Sequence, residues 1–140
     1  DAIEIRGSSR TFSDDTREFV RRRVEEISQH IAEAYRCSAT VSVERSAPAV
    51  WNNAEVANAV REAASLVVGP NNVVDPGQST VGDDVSVFLN EAPGCYFLLG
   101  VGNAEKGAGA PLHSPEYDLD EEALPIALET MSRAAIEFLS

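Results

Sequence analysis

The sequence predicts an α/β (α+β) fold in two parts, a β-α-β unit followed by a larger α/β region. Three observations carry this. Residues 3–12 open with apolar and polar residues in alternation, and residues 39–45 alternate strictly and are rich in β-branched side chains, as strands with one covered face do. Between them Val20, Val24, Ile27, Ile31 and Ala34 recur at the 4-3-4-3 spacing of a helix face. Further on, residues 95–101 form a continuous apolar run suited to a strand buried on both faces.

Residues 13–16 end the first strand, and Asp15 with Glu18 suits a helix-capping arrangement over 15–36. The outer face of that helix carries Arg17, Arg21, Arg22, Glu25, Glu26 and Glu33, with His30 beside it, and reads as solvated. Two strands alone are marginal in water, so a β-α-β unit of about 45 residues requires further strands. Residues 46–53 have turn chemistry and mark the domain boundary, which separates 1–47 from 48–140.

Asn53 can cap a helix over 54–68, with Val56, Val60, Ala63, Ala64 and Val67 on one face and Gly69-Pro70 ending it. Val73-Val74 suits a short strand. Asp83 and Asp84 favour the start of a short helix near 82–89, where a negative charge meets the positive end of the helix dipole. Residues 102–109 read as a flexible glycine-rich loop without a phosphate-binding pattern. Pro125 suits the first turn of a last helix over 125–139, whose Leu128, Met131, Ala135 and Phe138 have core spacing.

The formal net charge of −12 disfavours nucleic acid, which needs clustered cations, and an anionic membrane surface. No stretch approaches the ~20 apolar residues of a membrane span. The chain starts Asp1-Ala2-Ile3-Glu4, without an initiator methionine or a leader, so a fragment or a processed product is expected. Cys37 and Cys95 form no metal or redox motif by spacing and read as buried thiols of a cytoplasmic protein. Lys106 is the single lysine against ten arginines and has no assigned role.

His113 stands between Pro111 and Pro115, with Glu116, Asp118, Asp120, Glu121 and Glu122 behind it. Proline fixes φ and restricts its predecessor, so residues 112–114 are expected to be extended, presenting one imidazole as a metal ligand or simply closing a loop.

The pattern Pro93-Gly94-Cys95-Tyr96-Phe97-Leu98-Leu99-Gly100, a glycine-rich gap, then Leu112-His113-Ser114-Pro115-Glu116-Tyr117-Asp118-Leu119-Asp120-Glu121-Glu122-Ala123-Leu124-Pro125 resembles the C-terminal end of the metal-dependent amidohydrolase and aminoacylase family. Hippurate hydrolases, indole-acetyl-amino-acid hydrolases and related carboxypeptidases belong to it. Three upstream segments extend the resemblance: Gly7-Ser8-Ser9-Arg10-Thr11-Phe12, Pro48-Ala49-Val50-Trp51-Asn52 and Gly82-Asp83-Asp84-Val85-Ser86. The last has aspartate where the family usually has glutamate.

The resemblance implies half of a ferredoxin-like lid or dimerisation domain at 1–47 and the C-terminal part of a metallopeptidase-like catalytic domain at 48–140. It implies that His113 is the last ligand of a two-metal site holding zinc, manganese, cobalt or nickel. Asp83 and Asp84 would orient a ligand or a loop near that site. Arg10 would meet a substrate carboxylate, and Asn52 is a further substrate-binding candidate. The catalytic glutamate and the other ligands have no counterpart here, so the isolated chain is expected to be inactive. Relatives that cleave C-terminal glutamate carry an arginine where this sequence has Ala47, which leaves small N-acyl amino acids as the expected substrates. A homodimer through the lid unit is also implied. The alternative is a non-catalytic acidic α/β module for dimerisation or binding, with His113 structural.

Overall fold

Ser13 starts the first helix. Its backbone is extended, at φ −142° and ψ 154°, and its hydroxyl accepts the Thr16 amide at 3.2 Å. The chain then turns into α1, Asp14–Ala34, with Asp14 and Asp15 at its positive end. The cap is thus two residues earlier than the Asp15–Glu18 arrangement expected. The helix ends in a Schellman turn, with Cys37 N–H on Ala32 O at 2.8 Å and Arg36 N–H on Glu33 O at 2.9 Å. Arg36 takes the left-handed position there, at φ 57°, where glycine is usual. Arg21 pairs with Glu18 at 2.7 Å and Arg23 with Glu26, both along the solvated face.

The computed structural model describes residues 2–139. Asn53 caps α2, Ala54–Val68, accepting the amides of Glu55 at 3.0 Å and Val56 at 3.1 Å, and Gly69 ends the helix at φ 83°. Asp83 opens α3, Val85–Glu91, through its carboxylate on the Val85 amide at 2.9 Å. The last helix is α4, Ala123–Leu139. Short 3-10 turns occupy Pro70–Asn72 and Ala104–Lys106. Two compact units result, one of Asp1–Trp51 with Gly77–Glu91, the other of Asn52–Pro76 with Ala92–Ser140. No helix of the described residues is long and apolar enough to cross a membrane.

The expected β-α-β unit and its ferredoxin-like half-lid are not formed. Among the described residues there is no named strand; the nearest approach to one is an isolated antiparallel bridge between Asn103 and Ala108. Residues 3–12 and 39–45 carry no strand pairing, and Ile3 and Ile5 are each 91% exposed. Alternation describes a side-chain pattern, whereas a strand also needs a neighbour to take its amides and carbonyls. The lid unit through which a homodimer was expected therefore forms no sheet among the described residues.

The apolar run 95–101 is corrected in the same way. It does not join a sheet, and its covered side is single: Cys95, Phe97, Leu99 and Val101 are half-buried while Leu98 and Gly100 are exposed. The thiols differ from expectation too, since Cys37 is exposed and Cys95 only half-buried.

In the second unit α2 packs on α4. The buried residues of the two helices are small. Ala63 on α2 and Thr130, Ala134 and Ala123 on α4 are buried, with Ala63 at 4% and Thr130 at 3% exposure. The face expected to be core points elsewhere: Leu128 is 71% exposed, and Met131 and Phe138 are exposed as well. Both faces have helical periodicity, and spacing alone does not say which one meets a partner.

A larger side chain at the seam should force the helices apart. Ala63→Leu is expected to cost about 1–3 kcal/mol. Leu128→Ala, on the exposed stripe, is expected to change stability by less than about 0.5 kcal/mol. Urea unfolding followed by circular dichroism measures both. Equal effects of the two variants would contradict the observed seam.

Candidate functional site

His113 occupies the third position of a four-residue turn. The turn is closed by the Ser114 amide on Pro111 O at 3.1 Å, and His113 has φ 69°. Its backbone is therefore left-handed, a conformation costing a side-chain-bearing residue roughly 1–2 kcal/mol. A second turn follows at once, with Tyr117 N–H on Ser114 O at 3.0 Å. The Ser114 hydroxyl donates to the Glu116 carboxylate and holds its carboxyl below the usual range. The expected extended 112–114 segment is thus a pair of turns. Proline restricts the residue before it, here Ala110 and Ser114, and leaves Leu112 and His113 free to bend.

These turns belong to a loop that is closed at its base. Asp120 N–H donates to Val101 O at 2.9 Å, joining the two ends of 101–120. Asn103 and Ala108 exchange backbone hydrogen bonds of 2.7 and 2.9 Å, making a small hairpin through Gly107 at φ 81°. Residues 102–109, expected to be flexible, are held by these bonds. Side chains then fasten the hairpin to the far end of the loop. Asn103 Nδ2 donates to Asp120 Oδ2 at 2.7 Å, and Lys106 Nζ donates to Asp120 Oδ1 at 2.8 Å and pairs with Glu122 at 2.9 Å.

The electrostatics follow from that geometry. The Lys106 ammonium, then the Asn103 amide, hold the Asp120 carboxyl well below the usual carboxylate range, at about 2. The Asp120 carboxylate, then that of Glu122, raise Lys106 above the ordinary lysine value. Asp120 also starts α4, accepting the Glu122 amide on its side chain at 3.2 Å and the Ala123 amide on its carbonyl at 3.0 Å.

The other candidate residues are placed as follows. Asn52 presents its amide to the Tyr96 backbone, donating to Tyr96 O and accepting from Tyr96 N, both at 2.8 Å. The Asn53 amide adds a bond to Gly94 O at 2.9 Å. Asn52 thus bonds both backbone polar groups of Tyr96, as a residue of a neighbouring strand would. It and His113 lie in the second unit. Arg10, Asp83 and Asp84 lie in the first. Arg10 is exposed and donates to Ser8 Oγ at 3.1 Å. Asp83 is half-buried as the α3 cap, while Asp84 is exposed and its carbonyl accepts the Val87 amide at 3.0 Å.

The His113 imidazole is exposed and has no hydrogen-bond partner among the described residues. A ring so presented fits the role of one metal ligand. It does not compose a metal site, because no group of three His, Cys, Asp or Glu among the described residues could hold an ion. Asn103, Lys106 and Asp120 went unassigned in the sequence. The available signal was Asn103 opening a short turn that ends in glycine, with the one lysine inside it.

The profile of peptidase family M20/M25/M40 matches residues 4–137. The chain is 30% identical over 139 residues to thermostable carboxypeptidase 2 of Saccharolobus solfataricus, covering 99% of this chain and 35% of that protein. It is 29% identical over 136 residues to N-acetylcysteine deacetylase of Bacillus subtilis, covering 97% of this chain and 34% of that one. It is 22% identical over 144 residues to an IAA-amino acid hydrolase of Arabidopsis thaliana, covering 100% of this chain and 31% of that one. The chain thus spans about a third of the length of these relatives. No solved structure matches it.

Two measurements check the loop. Glycine at 113 relieves the left-handed strain but adds freedom to the unfolded chain, so His113→Gly is expected to stabilise by about 0.5 kcal/mol; a loss of stability on urea unfolding would show that the turn is not left-handed. Because the folded Asp120 carboxyl is depressed, its contribution is present above the unfolded value of about 4 and is lost as pH falls toward about 2. An NMR titration of the Asp120 carboxyl carbon should therefore have its midpoint near 2. A midpoint near 4 would mean that Lys106 and Asn103 do not hold it.

Proposed function

The chain belongs to peptidase family M20/M25/M40, and from that membership we propose that it is part of an amidohydrolase that cleaves the amide bond of N-acyl amino acids. The family is generally metal-dependent. The observation that carries the reading is the family match over residues 4–137, which takes in the exposed His113. The names of two relatives support the substrate class, since a deacetylase of N-acetylcysteine and a hydrolase of IAA-amino acids both act on amino acids carrying an acyl group. Ala47 supports it too, standing where glutamate-cleaving relatives of the resembled family have arginine.

In this reading residues 48–140 are the C-terminal part of the catalytic domain and 1–47 part of a lid or dimerisation domain. His113 gives one imidazole to a divalent metal, zinc, manganese, cobalt or nickel, in a two-metal site whose other donors lie outside this chain. The metal, when bound, polarises the scissile carbonyl and activates water. Arg10, which has no carboxylate partner among the described residues, receives the substrate's carboxylate as a guanidinium fork does. Asp84, exposed at the start of α3, orients a neighbouring loop or ligand, and Asp83 supports it as the helix cap. Asn52 acts at one remove from substrate by holding the 94–101 segment, since its amide is engaged at both ends.

Hydrolysis of N-acetyl and N-benzoyl amino acids with added Mn²⁺ or Zn²⁺ tests the reading. The 140-residue chain alone is expected to be inactive. In a longer protein carrying it, His113→Ala should lower both metal content and kcat. The loss should exceed the about 10–100-fold that removing a ligand's outer partner costs. Turnover by the isolated chain would overturn the assignment of the missing donors. Unchanged metal content and rate in His113→Ala would overturn the role of His113.

A further inference from the structure

Backbone and side-chain bonds together close the 101–120 loop. Loops of this length are commonly loose, because ordering each residue costs about 1–2 kcal/mol of backbone entropy. Here the base is joined by Asp120 N–H on Val101 O, the hairpin is joined by the Asn103–Ala108 pair, and the two are fastened together through one carboxylate. Asp120 receives Asn103 on one oxygen and Lys106 on the other, and its side chain is only 14% exposed. Between the fastened ends lies the turn that holds His113 at φ 69°. A left-handed residue with a large side chain persists only where its surroundings fix it.

We propose that Asp120, Asn103 and Lys106 form a latch that holds the 101–120 loop in the conformation presenting the His113 imidazole, so that Asp120 and Lys106 are positioning residues for the functional site. The proposal rests on the reading of His113 given above. Its two charged members differ in what else they do. Asp120 also caps α4, so removing its charge weakens the helix start together with the latch. Lys106 reaches Asp120 and Glu122 only through its side chain, so removing its ammonium leaves the bond from the Glu122 amide to Asp120 in place. Lys106 is thus the cleaner variant. Arginine at 106 keeps the charge and donors and should keep the latch.

The test is NMR on the 140-residue chain as wild type, Lys106→Met, Lys106→Arg and Asp120→Asn. The readouts are amide hydrogen exchange at Asn103, Ala108, Ser114 and Tyr117, exchange within α2 as a control, and the HN–Hα coupling and Cα shift of His113, which report its positive φ. Lys106→Met and Asp120→Asn are expected to raise loop exchange by at least about tenfold, as for any loss of about 1.4 kcal/mol in local opening. They should also move the His113 signature toward averaged values, leave α2 unchanged, and be reversed at 106 by arginine. Wild-type exchange and an unaltered His113 signature in Lys106→Met would overturn the proposal. So would equal acceleration in α2, which marks global loss of stability. A failure of His113→Ala to change metal content or rate in the longer protein removes the functional reading of His113 and leaves these loop measurements standing, so the two failures are distinguishable.

Discussion

Asp120 is the point at which the His113 loop and the last helix are made to agree. A carboxylate offers two oxygens with about four lone-pair positions. Here one oxygen takes the Lys106 ammonium and the Glu122 amide, and the other takes the Asn103 amide. The backbone of the same residue is used as well, its N–H on Val101 and its carbonyl under Ala123. Asparagine could not replace it without conflict, since one end of its amide would turn N–H groups toward a donor. Ending the loop and beginning α4 at one residue means that neither can shift without the other.

The helices were legible because their ends are local events. Asn53 is read as a cap from its type and from the run that follows, and the structure has α2 at the expected 54–68, ended by Gly69. The end of α1 was less legible, because Arg36 fills a position where glycine gives the usual signal. Strands failed for a different reason. The alternation in 3–12 and 39–45 is a property of one segment, whereas pairing is a relation between two, and neither segment is paired in a strand among the described residues. On 94–101 a side chain takes part of that role, the Asn52 amide bonding the Tyr96 backbone at both of its polar groups. A long-range bond from a linker asparagine leaves no mark in either local sequence.

Of the site, the sequence singled out His113 as a residue but not its conformation. Two flanking prolines suggested an extended segment, yet each acts one residue upstream of itself, so the bend fell in the unrestrained middle. Asp83 and Asp84 were read together and are separated by the structure, one half-buried in a cap and the other exposed. The latch was hidden because its members are 14 and 17 residues apart in the chain, at no periodic spacing. Side-chain closure of a loop is decided by where the backbone has already turned, and that turn is set here by Asn103 and Gly107.

A lone exposed imidazole holds a metal weakly. Affinity comes from several donors meeting with little left to order, since every group that must be immobilised on binding subtracts from the result. A histidine that acts with donors from elsewhere therefore gains from a backbone fixed in advance. Glycine would fill the left-handed position at lower conformational cost but has no nitrogen to offer. Histidine accepts the strain, and the bonds at the base of the loop oppose its release. The left-handed turn at 113 and the closure at 120 belong to the same loop, and in the proposed latch an unfastened loop would let that turn relax.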